Sequence, residues 1–193
     1  MKNNKMNVLF LSNMIAEKGV WTIVEVAKIL HGKELPVEFH FVGKWSDITE
    51  EMFDCAMKEY HLEEVCFAHG GKYGKEKDEF WAAADVFVFP TFYHNECFPL
   101  VLLEAMQHHL PCISTTEGGI PGIIDDKETG FLIEKHDFQT LADKLEYFIE
   151  HPEESERMGE NGYRKFNDKF TLRKFEESMV DILNDCLHSE KAY

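Results

Sequence analysis

The sequence predicts an α/β fold: a Rossmann-like, doubly wound parallel sheet of about six strands, closed by C-terminal helices. Three observations predict it. Short apolar runs without polar alternation recur along the chain, each is followed by a longer amphipathic stretch, and no Ser/Gly/Pro-rich linker or internal repeat interrupts the series. Strands that are apolar on both faces belong in a parallel sheet covered on both sides by helices. The 193 residues are 44% hydrophobic and 29% charged, which is too apolar for intrinsic disorder. A chain of this length buries roughly 70% or more of its unfolded surface, so a single domain over 1–193 needs no staples.

The first strand is expected at 8–11, Val8-Leu9-Phe10-Leu11. A helix over 19–30 follows, with Val20, Ile23, Val24, Ala27 and Leu30 at helical spacing. The second strand is 37–42, and the helix over 49–60 carries Glu50 and Glu51 in its first turn, where the dipole favours them. Strand 65–68, helix 75–84 and strand 86–89, stopped by Pro90, come next. Helix 99–108, strand 112–114 and strand 131–133 complete the sheet region. Helices 138–150, 152–169 and 171–187 end the chain; residues from 170 onward form a tail whose Phe175, Met179 and Ile182 are expected to be partly exposed.

In such sheets ligands bind outside the carboxyl ends of the strands. The loops to inspect are therefore 12–18, 43–45, 69–73, 91–99 and 115–122. The most informative runs from His94 to Met106, His-Asn-Glu-Cys-Phe-Pro-Leu-Val-Leu-Leu-Glu-Ala-Met. Pro99 suits a first helical position, where its missing N–H costs nothing. The amides of Leu100, Val101 and Leu102 then stand free at a helix start, which attracts anions. The helix is almost wholly apolar and is expected to run through the interior, with Glu104 one turn inside it and Glu96 just before it. Carboxylates there need strong hydrogen-bond donors, and a ligand rich in hydroxyls supplies them. The alternative is that Glu96 caps the helix and Glu104 pairs with a neighbouring lysine or amide.

After the first strand stands Ser12-Asn13-Met14-Ile15-Ala16-Glu17-Lys18-Gly19. Lys18 beside a helix start is placed to neutralise a phosphate, although a solvated lysine there is the commoner case. The chain has neither G-x-G-x-x-G nor G-x-x-x-x-G-K-[ST], so dinucleotide and Walker-type sites are not supported.

These segments together resemble the C-terminal, donor-binding domain of a family 4 (group 1) glycosyltransferase, one half of the two-domain GT-B fold. The resemblance rests on Glu17-Lys18-Gly19, Phe41-Val42-Gly43, the run Ala83 to Pro90, and the E-x7-E motif Glu96…Glu104. Gly118-Gly119-Ile120-Pro121, Thr129-Gly130-Phe131-Leu132 and Met158-Gly159 continue it in the family's order. It implies that Glu104 holds the ribose hydroxyls of a nucleotide diphosphate sugar and that Glu96, the catalytic candidate, faces the sugar. Around Pro99, the amides of Phe98, Leu100 and Val101 would bind the diphosphate, with Lys18 completing the charge. Ser12, Asn13, Gly70 and His94 fall on the same edge and join the candidate donor pocket.

The implied activity is transfer of a sugar, with retention of configuration, to an acceptor in polysaccharide or glycolipid assembly. It implies no cofactor and no metal, since protein charge stabilises the departing nucleotide diphosphate; Asp125-Asp126 then reads as a plain turn. It also implies a preceding Rossmann-like domain that binds the acceptor, for which these residues hold no counterpart. The chain alone is expected to bind donor with little or no transfer, and any membrane contact is expected through that other half. The sequence departs from the family in three places: Ser12-Asn13 stand for the usual Gly-Arg, Cys97 for a glycine, and Gly122 for a glutamate.

With 20 Lys+Arg against 36 Asp+Glu, the net charge of −16 argues against nucleic acid or anionic lipid as partner. Five cysteines without a C-x-x-C pair read as free, buried thiols in a reducing compartment. No apolar run near the N-terminus is long enough for a signal peptide core or a membrane span, so a cytoplasmic location is expected. The ten histidines show no metal-ligand spacing; His69 and His94 lie on ligand-edge loops, and Phe92 and Tyr93 are candidates to border the sugar. Two rival readings remain: a sugar-nucleotide epimerase-like enzyme, and a flavodoxin-like regulatory domain without chemistry.

Overall fold

The computed structural model describes residues 5–189. Six strands alternate with helices: β1 (Met6–Leu11), α1 (Val20–Gly32), β2 (Val37–Val42), α2 (Glu50–Tyr60), β3 (Cys66–Ala68) and α3 (Lys75–Ala83). The second half continues with β4 (Val86–Phe89), α4 (Leu100–Gln107), β5 (Cys112–Thr115), the short α5 (Ile120–Ile123) and β6 (Gly130–Ile133). Then α6 (Phe138–Glu150), α7 (Pro152–Lys169) and α8 (Leu172–Ser189) close the described chain. The strands form one all-parallel sheet in the order β3-β2-β1-β4-β5-β6. That order reverses direction between β1 and β4, which opens a crevice at their carboxyl ends.

Burial on both faces explains the unbroken apolar strands. Every residue of β4 and of β5 is buried. Phe10 of β1 packs its ring 5.8 Å from Phe41 of β2 and 6.3 Å from Phe89 of β4, so large aromatic rings fill the space between neighbouring strands. Helix α1 packs against α6, and α4 against α7. Buried hydroxyls fix β5 to the chain leaving β4: Ser114 Oγ donates to the Phe89 carbonyl at 2.5 Å, and Thr115 Oγ1 to the Thr91 carbonyl at 2.5 Å.

The predicted elements are all present, with ends displaced by a residue or two. Four findings correct the expectations. Pro99 is the N-cap of α4, with extended backbone (φ −72°, ψ 104°), and the helix starts at Leu100. The helix does not run through the interior either. Leu102, Ala105 and Met106 are buried, whereas Leu100 is 67% exposed and Glu104 half-buried, because α4 covers one face of the sheet. The α5 turn at the end of the 115–122 loop was not expected, its four residues being too few to leave a period. Only Cys66 and Cys112 are buried; Cys55, Cys97 and Cys186 are exposed, and no disulfide forms among the described residues. Burial pushes the Cys66 thiol up to about 12, and Cys112 is raised by the same cause.

Helix α8 carries exposed Phe175, Met179 and Ile182, as expected, and part of the 170–193 tail lies outside the described residues. Among the described residues no helix is long and apolar enough to cross a membrane.

A histidine pair lies on the β2–β3 side of the sheet. His40 Nδ1 and His69 Nε2 are 3.0 Å apart, with the rings stacked, and Phe67 and Phe80 close over them. One ring nitrogen must donate and the other accept, so the accepting ring at least must be neutral. Desolvation is the first cause that lowers His69, to about 4, with His40 and Lys72 adding repulsion; His40 is lowered by desolvation and partly restored by Glu38. The unfolded chain therefore takes up protons that the folded pair refuses. Folding stability is expected to decline as pH falls from 6.5 towards 4, and His69→Phe to flatten that slope in urea titrations at stepped pH. An unchanged slope would show the pair to be uncoupled from folding.

Candidate functional site

The carboxyl edge of the sheet is assembled by contacts between its loops. The loop after β1 tightens into one turn of 3-10 helix, Ala16–Lys18, and the Ala16 N–H donates to the Asp47 carboxylate at 3.1 Å, binding it to the loop after β2. The Glu17 carbonyl accepts the Phe92 N–H at 2.8 Å and the Thr91 hydroxyl at 3.3 Å, which brings the loop after β4 alongside. Gly19 makes that approach feasible: its φ is +91°, and a Cβ there would stand 2.4 Å from the Pro90 carbonyl oxygen. The loop after β5 comes in as closely. A Cβ on Gly118 (φ +52°) would stand 1.7 Å from the Glu96 carbonyl oxygen, and the Gly119 N–H donates to the Cys97 carbonyl at 2.8 Å.

Lys18 and Glu96 meet at the centre of these loops. They form an ion pair whose side chains are only 14% and 10% exposed. The Lys18 ammonium also lies 4.4 Å from the centroid of the Tyr93 ring. A buried carboxylate costs several kcal/mol unless it is paired, and Lys18 satisfies that demand. Glu104, on the half-exposed face of α4, receives Lys77 of α3 at 2.8 Å, with exposures of 37% and 26%. Both acids of the E-x7-E spacing are thus compensated by lysines, the pairing the sequence left open as the alternative to a hydroxyl-rich ligand. Glu104 nonetheless keeps open acceptor capacity on its exposed side.

At the start of α4 the Leu102 N–H is spent on the Pro99 carbonyl at 3.1 Å, so it does not join the free amides as expected. The amides of Leu100 and Val101 find no backbone acceptor among the described residues. Two unpaired N–H groups at the positive end of the helix remain an anion-attracting feature. Phe98 is exposed beside Gly119.

Ser12 and Asn13 border a cleft of about 180 Å³, shared with Gly43, Lys44, the Gly71–Tyr73 loop and Lys77. Gly70 adjoins it, its carbonyl accepting the Gly43 N–H at 3.0 Å. Two expected contributors do not line this cleft. His94 is an exposed side chain 3.7 Å from Glu17, and the His69 ring is taken up by His40, away from this cleft. Phe92 packs on His136 at 4.1 Å, a structural contact. A larger cleft of about 630 Å³ opens at the opposite edge, among Pro36, Asp85, Pro111 and Pro152, where sheets of this type do not bind ligands. Among the described residues no group of three or more His, Cys, Asp or Glu is placed to hold a metal ion. Asp125 and Asp126 act within the turn before β6: Asp126 Oδ1 accepts the Leu132 N–H at 3.0 Å, and Asp125 takes Lys165 at 2.9 Å.

Sequence reasoning missed Lys44, Lys72 and Lys77. Lys44 and Lys72 lie in ligand-edge loops already singled out, and their sign in so acidic a chain was a usable signal. Lys77 sits between Glu76 and Asp78 on a helix, where nothing in the pattern marks it.

The family profile described as glycosyl transferases group 1 matches residues 1–165. The chain belongs to that family. It is 26% identical over 186 residues to the capsular polysaccharide biosynthesis glycosyltransferase CapM of Staphylococcus aureus, a match covering 96% of this chain and 47% of CapM. The C-terminal domain of the group 1 protein LpcC from Francisella tularensis superposes with a TM-score of 0.76 at 26% identity, covering 86% of this chain and 87% of that one. Anabaena HepE, solved with UDP and glucose, superposes with a TM-score of 0.83 at 19% identity, a likeness of fold over 94% of this chain and 48% of HepE. The chain spans about half the length of the curated relatives it matches, and it corresponds to the C-terminal half of a GT-B transferase.

Within this group 1 domain the closest loop contact yields a direct expectation. Gly118→Ala should cost about 1–3 kcal/mol of stability, from its positive φ and the clash with the Glu96 carbonyl. Urea denaturation measures it, and an unshifted midpoint would mean that the 96–98 loop is not clamped by Gly118.

Proposed function

We propose that this chain is the donor-binding half of a retaining glycosyltransferase that takes a sugar from a nucleotide diphosphate sugar in polysaccharide or glycolipid assembly. One observation carries the reading. Two carboxylates, each balanced by a lysine, stand with the open amides of α4 on a single sheet edge. Those groups match the two chemistries of such a donor, hydroxyls and phosphates. Its likeness to CapM and to HepE with UDP and glucose supports the same reading.

In this proposal the Leu100 and Val101 amides, with that of Phe98, receive the diphosphate, and Lys18 turns from Glu96 to a phosphate oxygen. Glu104 accepts the ribose hydroxyls, and Glu96 faces the sugar. When the bond from sugar C1 to the phosphate oxygen breaks, its electron pair leaves with the diphosphate. The fixed dipole of α4 and Lys18 stabilise the charge that develops there, which is the reason for proposing chemistry without a metal. An acceptor hydroxyl then bonds C1 and loses its proton to the departing phosphate. The acceptor is held by the preceding domain of such transferases, so the chain alone is expected to bind donor and transfer little.

Isothermal titration with uridine and guanosine diphosphates and their 2′-deoxy forms tests the roles. Glu104→Ala should weaken ribonucleotide binding by about tenfold, more than Glu96→Ala does, and should erase discrimination against the 2′-deoxy ligand. Absence of binding by any nucleoside diphosphate would instead favour the regulatory, flavodoxin-like reading. Efficient sugar transfer by the isolated chain would contradict the dependence on a partner domain.

A further inference from the structure

We infer that Lys44, on the loop after β2, is a donor-binding residue that supplies the additional positive charge required by the diphosphate; this rests on the function proposed above. The charge balance at the sheet edge leads there. Lys18 is matched by Glu96 and Lys77 by Glu104, so those four side chains together are neutral. A nucleoside diphosphate brings at least two further negative charges, and the loop after β1 adds no cation beyond Lys18, Ser12 and Asn13 being uncharged.

The neighbouring cleft is lined by Lys44, Lys72 and Lys77 and by no Asp or Glu, in a chain whose net charge is −16. Lys72 is engaged by Glu76 at 3.4 Å. Lys44 has no carboxylate partner among the described residues; its ammonium lies 5.7 Å from the Tyr73 ring centroid. Its backbone is fixed beside position 13, because the Lys44 carbonyl accepts the Met14 N–H at 2.8 Å and Met14 pairs with Trp45. Its stem lies over Gly71, where an added Cβ would stand 3.0 Å from the Lys44 Cγ. Among the described residues that line this cleft, Lys44 is the ammonium without a carboxylate partner, on a tethered stem beside Asn13.

The test compares the full chain with Lys44→Met and with the double variant Lys44→Met/Asn13→Arg. Each is titrated with uridine, its monophosphate and its diphosphate, and with the guanosine series. Lys44 and Asn13 are exposed, so neither change disturbs the core. Lys44→Met should leave nucleoside affinity unchanged and shrink the gain from nucleoside to diphosphate by about tenfold, as expected for one lost charge-assisted contact. Asn13→Arg in the same background should restore that gain, since the charge returns to the same cleft from the adjacent loop. If Lys44→Met keeps the full gain, or weakens nucleoside and diphosphate equally, the inference is overturned while the function stands. If the parent chain shows no gain from the phosphates in either series, the proposed function fails and this inference with it.

Discussion

Two donors converge on the carbonyl oxygen of Glu17, the Phe92 amide at 2.8 Å and the Thr91 hydroxyl at 3.3 Å. Through that oxygen the chain leaving β1 and the chain leaving β4 are held at a fixed separation, on the two sides of the point where the sheet reverses its winding. Thr91 is held in turn from β5, because its carbonyl accepts the Thr115 hydroxyl. Lys18 and Glu96 are brought together by this framework, being one residue and a few residues away from it. The backbone sets the separation of the two residues, and the pairing then offsets the rotamer freedom that both long side chains give up.

The electrostatic arrangement follows from the same geometry. A chain with so large an acid excess would repel a phosphorylated ligand from most of its surface. At this edge the carboxylates are balanced by lysines, and the Lys44 ammonium and two amide groups left open at the start of α4 offset that repulsion locally. In the proposed complex, Lys18 and Lys77 being already held by carboxylates, the donor's phosphates compete for them while its hydroxyls compensate the acids released. Exchange of partners of this kind favours ligands that carry both groups in one molecule.

Most of the fold was legible in the sequence because parallel strands buried on both faces leave unbroken apolar runs, as Val86 to Phe89 shows. The interior position expected for α4 was not borne out. Composition states that Leu100, Val101 and Leu103 are apolar, but which face they cover depends on the sheet beneath, and Leu100 is exposed. Glu96, Lys18 and Glu104 were legible from their positions at strand exits and at one helix. Their partners were less so: Lys77 reaches Glu104 from another helix, a long-range encounter that no local spacing records. His69 shows the same limit, since its loop faces the site while its ring turns to His40 on the adjacent strand.

The cysteines sort by the same packing. Cys66 and Cys112 are enclosed by the sheet, with thiols too weakly acidic to form thiolate at neutral pH, whereas Cys55 on α2 and Cys97 beside Glu96 face water. A maleimide dye will thus discriminate by accessibility without any engineering of the chain. Cys97 becomes an optical reporter seated on the clamped loop, while Cys55 on α2 and Cys186 on α8 take label on helices outside it.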